Sequence, residues 1–65
     1  MLNVIIDYSE VSPAVLDLEV RNATCNALCM WRDLNEDSFE FEVMGWLPMT
    51  PADLVKVEEV LARYV

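Results

Sequence analysis

The segment from Phe39 to Val43 constrains the fold of this chain more than any other. Phenylalanine, glutamate, phenylalanine, glutamate and valine alternate there without a break. Successive side chains of a β-strand point to opposite faces of the sheet, so the pattern predicts a strand with one apolar and one acidic face. Antiparallel sheets commonly have one buried face and one face in water. The segment therefore predicts a two-faced antiparallel sheet.

Three other segments also favour strands. The first, Leu2 to Tyr8, alternates and is rich in β-branched residues. The second, Leu16 to Arg21, alternates strictly between apolar and charged residues, and the third is the apolar run at 27–32. Polar segments between the predicted strands indicate turns or loops, at 9–13, 22–26 and 33–38.

The C-terminal segment predicts a helix. Thr50 is a good N-cap residue, Pro51 suits the first helical position, and Asp53 stands where a capping box has its acid. An apolar stripe follows at helical spacing, formed by Leu54, Val57, Leu61 and Tyr64 with Val60 beside it. We therefore expect residues 1–65 to form a single α+β domain, a small antiparallel sheet with the C-terminal helix packed on one face.

An alternative remains open for residues 13–34. Ser12 and Pro13 also form a good helix start, and apolar residues recur at helical spacing through Leu16, Val20, Ala23, Ala27, Trp31 and Leu34. One long helix there would change the fold to β-α-β-α. We favour strands because the alternation at 16–21 is strict. Asn22, Thr24 and Asn26 would also weaken the middle of such a helix.

The charge of the chain narrows its function. Its 65 residues include 12 acids, four bases and no histidine, which gives a net charge of −8. Such a charge repels nucleic acid and anionic membranes and favours a basic protein partner. Without histidine the commonest general base is absent, so we expect no enzyme activity and no cofactor. No segment resembles a signal peptide or a membrane span, and we expect a cytoplasmic protein.

Two patterns resemble metal sites but fall short of them. Cys25 and Cys29 are only two ligands, whereas structural zinc sites use four. We expect both to be free, partly buried thiols. The segment 33–37 matches the opening of an EF-hand loop, but Ser38 and Met44 stand where that loop needs glycine and glutamate. No metal site is expected.

The carboxylates are the candidate functional residues. With strands at 16–21 and 39–43, Asp17 and Glu19 would share the wet face of the sheet with Glu40 and Glu42. The acids of the predicted turn would extend the same surface. The predicted partner-binding residues are Asp17, Glu19, Asp33, Glu36, Asp37, Glu40 and Glu42. Trp31 and Trp46 are assigned either to the core or to this interface.

The small size, the acidity and the carboxylate-bearing segments 17–19 and 33–42 resemble phage-encoded anti-CRISPR proteins that act as DNA mimics. The resemblance implies a non-enzymatic inhibitor in the cytoplasm of a bacterial host. It would act as a monomer or weak homodimer and block a basic nucleic-acid-binding protein, such as a CRISPR effector subunit, from DNA or RNA. Two alternatives are an antitoxin or immunity protein that caps a basic toxin, and a small dimerising structural subunit.

Overall fold

The described part of the chain forms one three-stranded sheet and two helices. The computed structural model describes residues 2–25, 27–45 and 49–65. The elements follow in the order β1 (Leu2–Asp7), α1 (Pro13–Ala23), β2 (Ala27–Asp33), β3 (Ser38–Gly45) and α2 (Pro51–Leu61). The predicted α+β class is confirmed, as are the strands at the N-terminus, at 27–32 and at 39–43.

Strand β3 lies at the centre of the sheet, with β1 and β2 antiparallel on either side of it. Buried and less buried side chains alternate along β3 as predicted from Phe39 to Val43: Phe39, Phe41 and Val43 are each at most 1% exposed. Phe39 lies opposite Ile6 of β1, and Val43 lies opposite Cys29 of β2. These residues form the sheet side of the core, which the helices complete with Leu16, Val20, Val57, Val60 and Leu61.

The predicted strand at 16–21 is wrong, because these residues lie in α1. Ser12 caps the helix: its hydroxyl accepts a hydrogen bond from the Val15 amide at 3.3 Å, and Pro13 occupies the first turn. Residues two apart on a helix point in roughly opposite directions, whereas residues four apart share a face. Leu16 and Val20 are accordingly buried, while Leu18 between them is 56% exposed.

The alternative of one helix over 13–34 is also wrong. Helix α1 ends at Ala23, and the chain is extended again from Ala27. Thr24 is the C-cap residue; its amide still donates to Val20, but its own backbone is extended. The structure thus combines the helix start of one interpretation with the third strand of the other.

Helix α2 confirms the predicted C-terminal helix and packs on the sheet. The capping box is complete. The Asp53 carboxylate accepts a hydrogen bond from the Thr50 backbone amide, and the Thr50 hydroxyl accepts one from the Asp53 backbone amide, each at 3.2 Å. The hydrogen bond from the Thr50 backbone, followed by that with the Thr50 side chain, lowers the pKa of Asp53. Thr24 Oγ1 also donates to Asp53 at 3.1 Å and ties the end of α1 to the start of α2. Within the described ranges, neither helix is long and apolar enough to cross a membrane.

Replacing Thr50 with alanine should therefore lower the free energy of unfolding by about 1 kcal/mol, because the N-cap oxygen is lost. Urea denaturation followed by circular dichroism measures the change. Ser9→Ala is the matched control, since Ser9 is exposed and lies outside every helix and strand. An equal effect of the two substitutions would contradict the capping role.

Candidate partner-binding surface

One face of the sheet is not covered by any element of the described chain. We call it the open face. By strand alternation it is formed by Asn3, Ile5, Leu28, Met30, Arg32, Glu40, Glu42 and Met44. Both helices lie on the opposite face, where the buried side chains of β3 point. The two-faced sheet that the alternation at 39–43 predicts is confirmed.

The open face contains a shallow groove of about 300 Å³, lined by Asn3, Met30, Trp31, Arg32, Glu40 and Glu42. Glu40 pairs with Arg32 across the two strands, with Oε1 and Nε 2.7 Å apart. Glu42 stands between Asn3 of β1 and Met30 of β2, and is half-buried. Among the residues that the structure describes, Glu42 has no ion pair or side-chain hydrogen bond. The groove therefore holds one carboxylate, Glu40, that forms an ion pair and one, Glu42, that forms none with the described residues.

The remaining carboxylates near the sheet gather at one end of it. We call this group the acidic end; it consists of Asp7, Glu10, Asp33, Glu36 and Asp37, all exposed. The Asn35 side-chain oxygen organises the turn between β2 and β3 by accepting from the Asp37 amide at 2.7 Å and the Ser38 amide at 3.0 Å. The Tyr8 amide donates to the Asp37 carbonyl at 2.9 Å, which holds this turn beside the end of β1.

Asp17 and Glu19 do not share the open face, contrary to the sequence prediction. They lie on α1, and both have partners within the chain. Asp17 pairs with Arg21 at 3.1 Å. The Glu19 carboxylate accepts the Tyr64 hydroxyl at 2.6 to 2.7 Å, and this hydrogen bond raises the pKa of Tyr64. The Asp17–Arg21 pair lies within α1, whereas the Glu19–Tyr64 hydrogen bond joins α1 to the C-terminal residues, so we assign both acids structural roles.

The cysteines differ in environment. Cys25 is exposed, which corrects its expected partial burial, whereas Cys29 is a half-buried free thiol, as predicted. Burial, followed by the hydrogen bond to Asp17 and its negative charge, raises the pKa of Cys29 to about 12. Trp31 stacks on Phe41 with ring centroids 6.1 Å apart, yet is 42% exposed. The alternatives for Trp46 concern a position outside the described residues.

Cys25 should react with iodoacetamide at pH 8 roughly ten times faster than Cys29, or more. The thiolate is the nucleophile, and a thiol with a pKa of about 12 is only about one part in ten thousand thiolate at that pH. Peptide mass spectrometry over a time course gives both rates. Addition of urea is the control, because unfolding should remove the difference. Equal rates in the native protein would contradict the placement of Cys29 beside Asp17.

The charge is unevenly divided between the sheet with its adjoining turns, which we call the sheet layer, and the two helices with their adjoining residues, which we call the helical layer. The acidic end, Glu40 and Glu42 oppose a single base, Arg32, which places −6 of the net −8 on the sheet layer. The helical layer is more nearly balanced, because it carries the other three bases.

Sequence reasoning missed Asp7 and Glu10; the strand pattern from Leu2 could have placed Asp7 at the acidic end. No protein-family model, no curated protein and no solved structure matches the chain.

Proposed function

We propose that this protein is a non-enzymatic inhibitor that binds a basic, nucleic-acid-binding protein and keeps it from DNA or RNA. The observation that supports the proposal is the concentration of charge, −6 of −8, on the sheet layer. A surface built to keep a small domain soluble needs no such one-sided distribution. Like charges placed together destabilise a compact state, so their clustering favours a binding role.

The spacing of the carboxylates also suits a partner that binds phosphates. Ser38, beside the acidic end, and Glu42 are four residues apart on β3, so the acids extend over about 14 Å of the sheet. Glu40 and Glu42 are about 7 Å apart, twice the rise per residue. DNA presents one phosphate per about 3.4 Å of axis on each strand, and successive phosphates lie further apart than this rise. Arginine and lysine side chains arranged for such a backbone would meet carboxylates at comparable spacing.

The acids of the proposed surface are available for binding. All five members of the acidic end are exposed, and the ion pairs of the described chain use Asp17, Glu19 and Glu40 but none of these five. Among the described residues of the sheet layer, the one basic side chain that competes for these acids is Arg32, whose side chain is 72% exposed in its ion pair with Glu40. Exposed ion pairs contribute only about 0–1 kcal/mol, so a partner can replace Arg32 at little cost. The proposed setting is the cytoplasm of a bacterial host.

The proposal is tested by capture and competitive release. Tagged protein is incubated with lysate from bacteria that carry diverse defence systems, and then eluted in parallel with salt and with excess DNA or RNA duplex. We expect a basic nucleic-acid-binding protein that both eluents release, because the duplex competes for the same surface. A specific partner that salt releases and duplex does not would contradict the mimic function and favour the antitoxin or immunity alternative.

Charge reversal should locate the surface. Glu36→Lys with Asp37→Lys should weaken binding to the captured partner roughly tenfold or more, because close charge pairs across an interface are lost. Glu58→Lys with Glu59→Lys, on the exposed side of α2, gives the same net charge of −4 and should have a much smaller effect. Isothermal titration calorimetry at two salt concentrations measures both. Equal losses would mean that net charge alone governs binding, with no localised surface.

A further inference from the structure

The open face carries apolar side chains that the acidic surface does not explain. Ile5 is 61% exposed and Met30 is 54% exposed, and they flank β3 on opposite sides. Leu28 and Met44 lie opposite each other at the far end of the same face and are half-buried. A surface that only presented charge would have no need of these four side chains.

The dimensions of the open face suit one helix. Its outer strands lie on either side of β3, and adjacent strands are separated by about 4.8 Å, so the face is roughly 10 Å wide between strand axes. An α-helix with its side chains is about 10–12 Å in diameter. A single helix placed along β3 would thus contact Ile5 on one side and Met30 on the other.

The negative charge of the open face favours a helix that carries basic side chains. Glu42 lines the groove without an ion pair among the described residues, and the acidic end lies at the end of the sheet where β3 begins. A cationic side chain can pair with Glu42 while its aliphatic stem lies against Met30. A second copy of this chain is a poor occupant, because each copy carries −8 and most of it on this layer. An anionic membrane surface is repelled for the same reason.

We propose that the open face docks a basic amphipathic helix of the protein partner, with its apolar residues over Ile5 and Met30 and its lysine or arginine residues directed to Glu42 and the acidic end. The inference rests on the proposed function and specifies how the partner is held. Apolar contact supplies the affinity and the carboxylates supply the orientation.

The test uses two synthetic peptides of 18 residues. One places leucine on one helical face and lysine and arginine on the other, and the second has the same composition in scrambled order. Each is titrated into the uniformly ¹⁵N-labelled full chain and followed by two-dimensional NMR. We expect tighter binding of the amphipathic peptide, with the largest shifts at the amides of Asn3, Ile5, Met30 and Glu42. Equal binding of both peptides, or shifts confined to the helices, would overturn the inference.

A double variant separates apolar docking from charge. Ile5→Ser with Met30→Ser should weaken binding of the amphipathic peptide about tenfold, because two apolar contacts are lost and the charge is unchanged. Val55→Ser is the control, since Val55 is 52% exposed on α2 and lies on the other layer. The spread of amide shifts in each variant verifies that it is folded. A double variant that binds as tightly as the unmodified chain would refute apolar docking.

The two proposals fail in different experiments. Failure of the proposed function appears in the capture experiment, as a partner that duplex does not displace. Failure of helix docking appears in the peptide titration, or as a duplex-displaced partner that binds the Ile5→Ser, Met30→Ser variant undiminished. In the second case the acidic end alone would account for the interaction.

Discussion

The structure depends on the alternation of β3. Its central position commits one row of side chains, Phe39, Phe41 and Val43, to the core, and the other row must then lie on the open face. A shift of one residue in its pairing would bury glutamates without partners and expose phenylalanines, which would cost more than a domain of this size can lose. The same strand therefore determines where the core lies and where the carboxylates of the groove lie.

The sequence allowed β1, β3 and α2 to be predicted because each has one dominant period, whereas β2 was predicted only from its apolar run and also fitted the helical alternative through Ala27 and Trp31. The segment 16–21 has no single dominant period. Its apolar residues satisfy a period of two as fully as Leu16 and Val20 satisfy a helical spacing, and the deciding information lies outside it, at Ser12 and Pro13. The start signal prevails because it fixes the backbone and satisfies a free amide of the first turn. The helix leaves Leu18 exposed, so this apolar side chain does not contribute to the core.

The candidate surface was predictable where it follows from β3 and the turn before it. Glu40, Glu42, Asp33, Glu36 and Asp37 lie on or beside the sheet layer, as their positions in the sequence indicate. Asp17 and Glu19 were misplaced for the same reason that α1 was. The pairing of Arg32 with Glu40 depends on strand order and register, which a single sequence does not specify. The apolar part of the open face became visible only once Ile5 and Met30 were placed on either side of the acids.

The strand order has a consequence for self-association. Both β1 and β2 are edge strands in the described sheet, and each presents unpaired backbone amides and carbonyls on its outer side. Such edges are templates for pairing between identical chains, and charge is one of the ways in which proteins protect them. The net charge of −8 makes copies of the chain repel each other, and Asp7 and Asp33 place one carboxylate at an end of each edge strand. Near the isoelectric point of about 4.1 this repulsion vanishes, so pairing between edge strands of different copies is least opposed in acid.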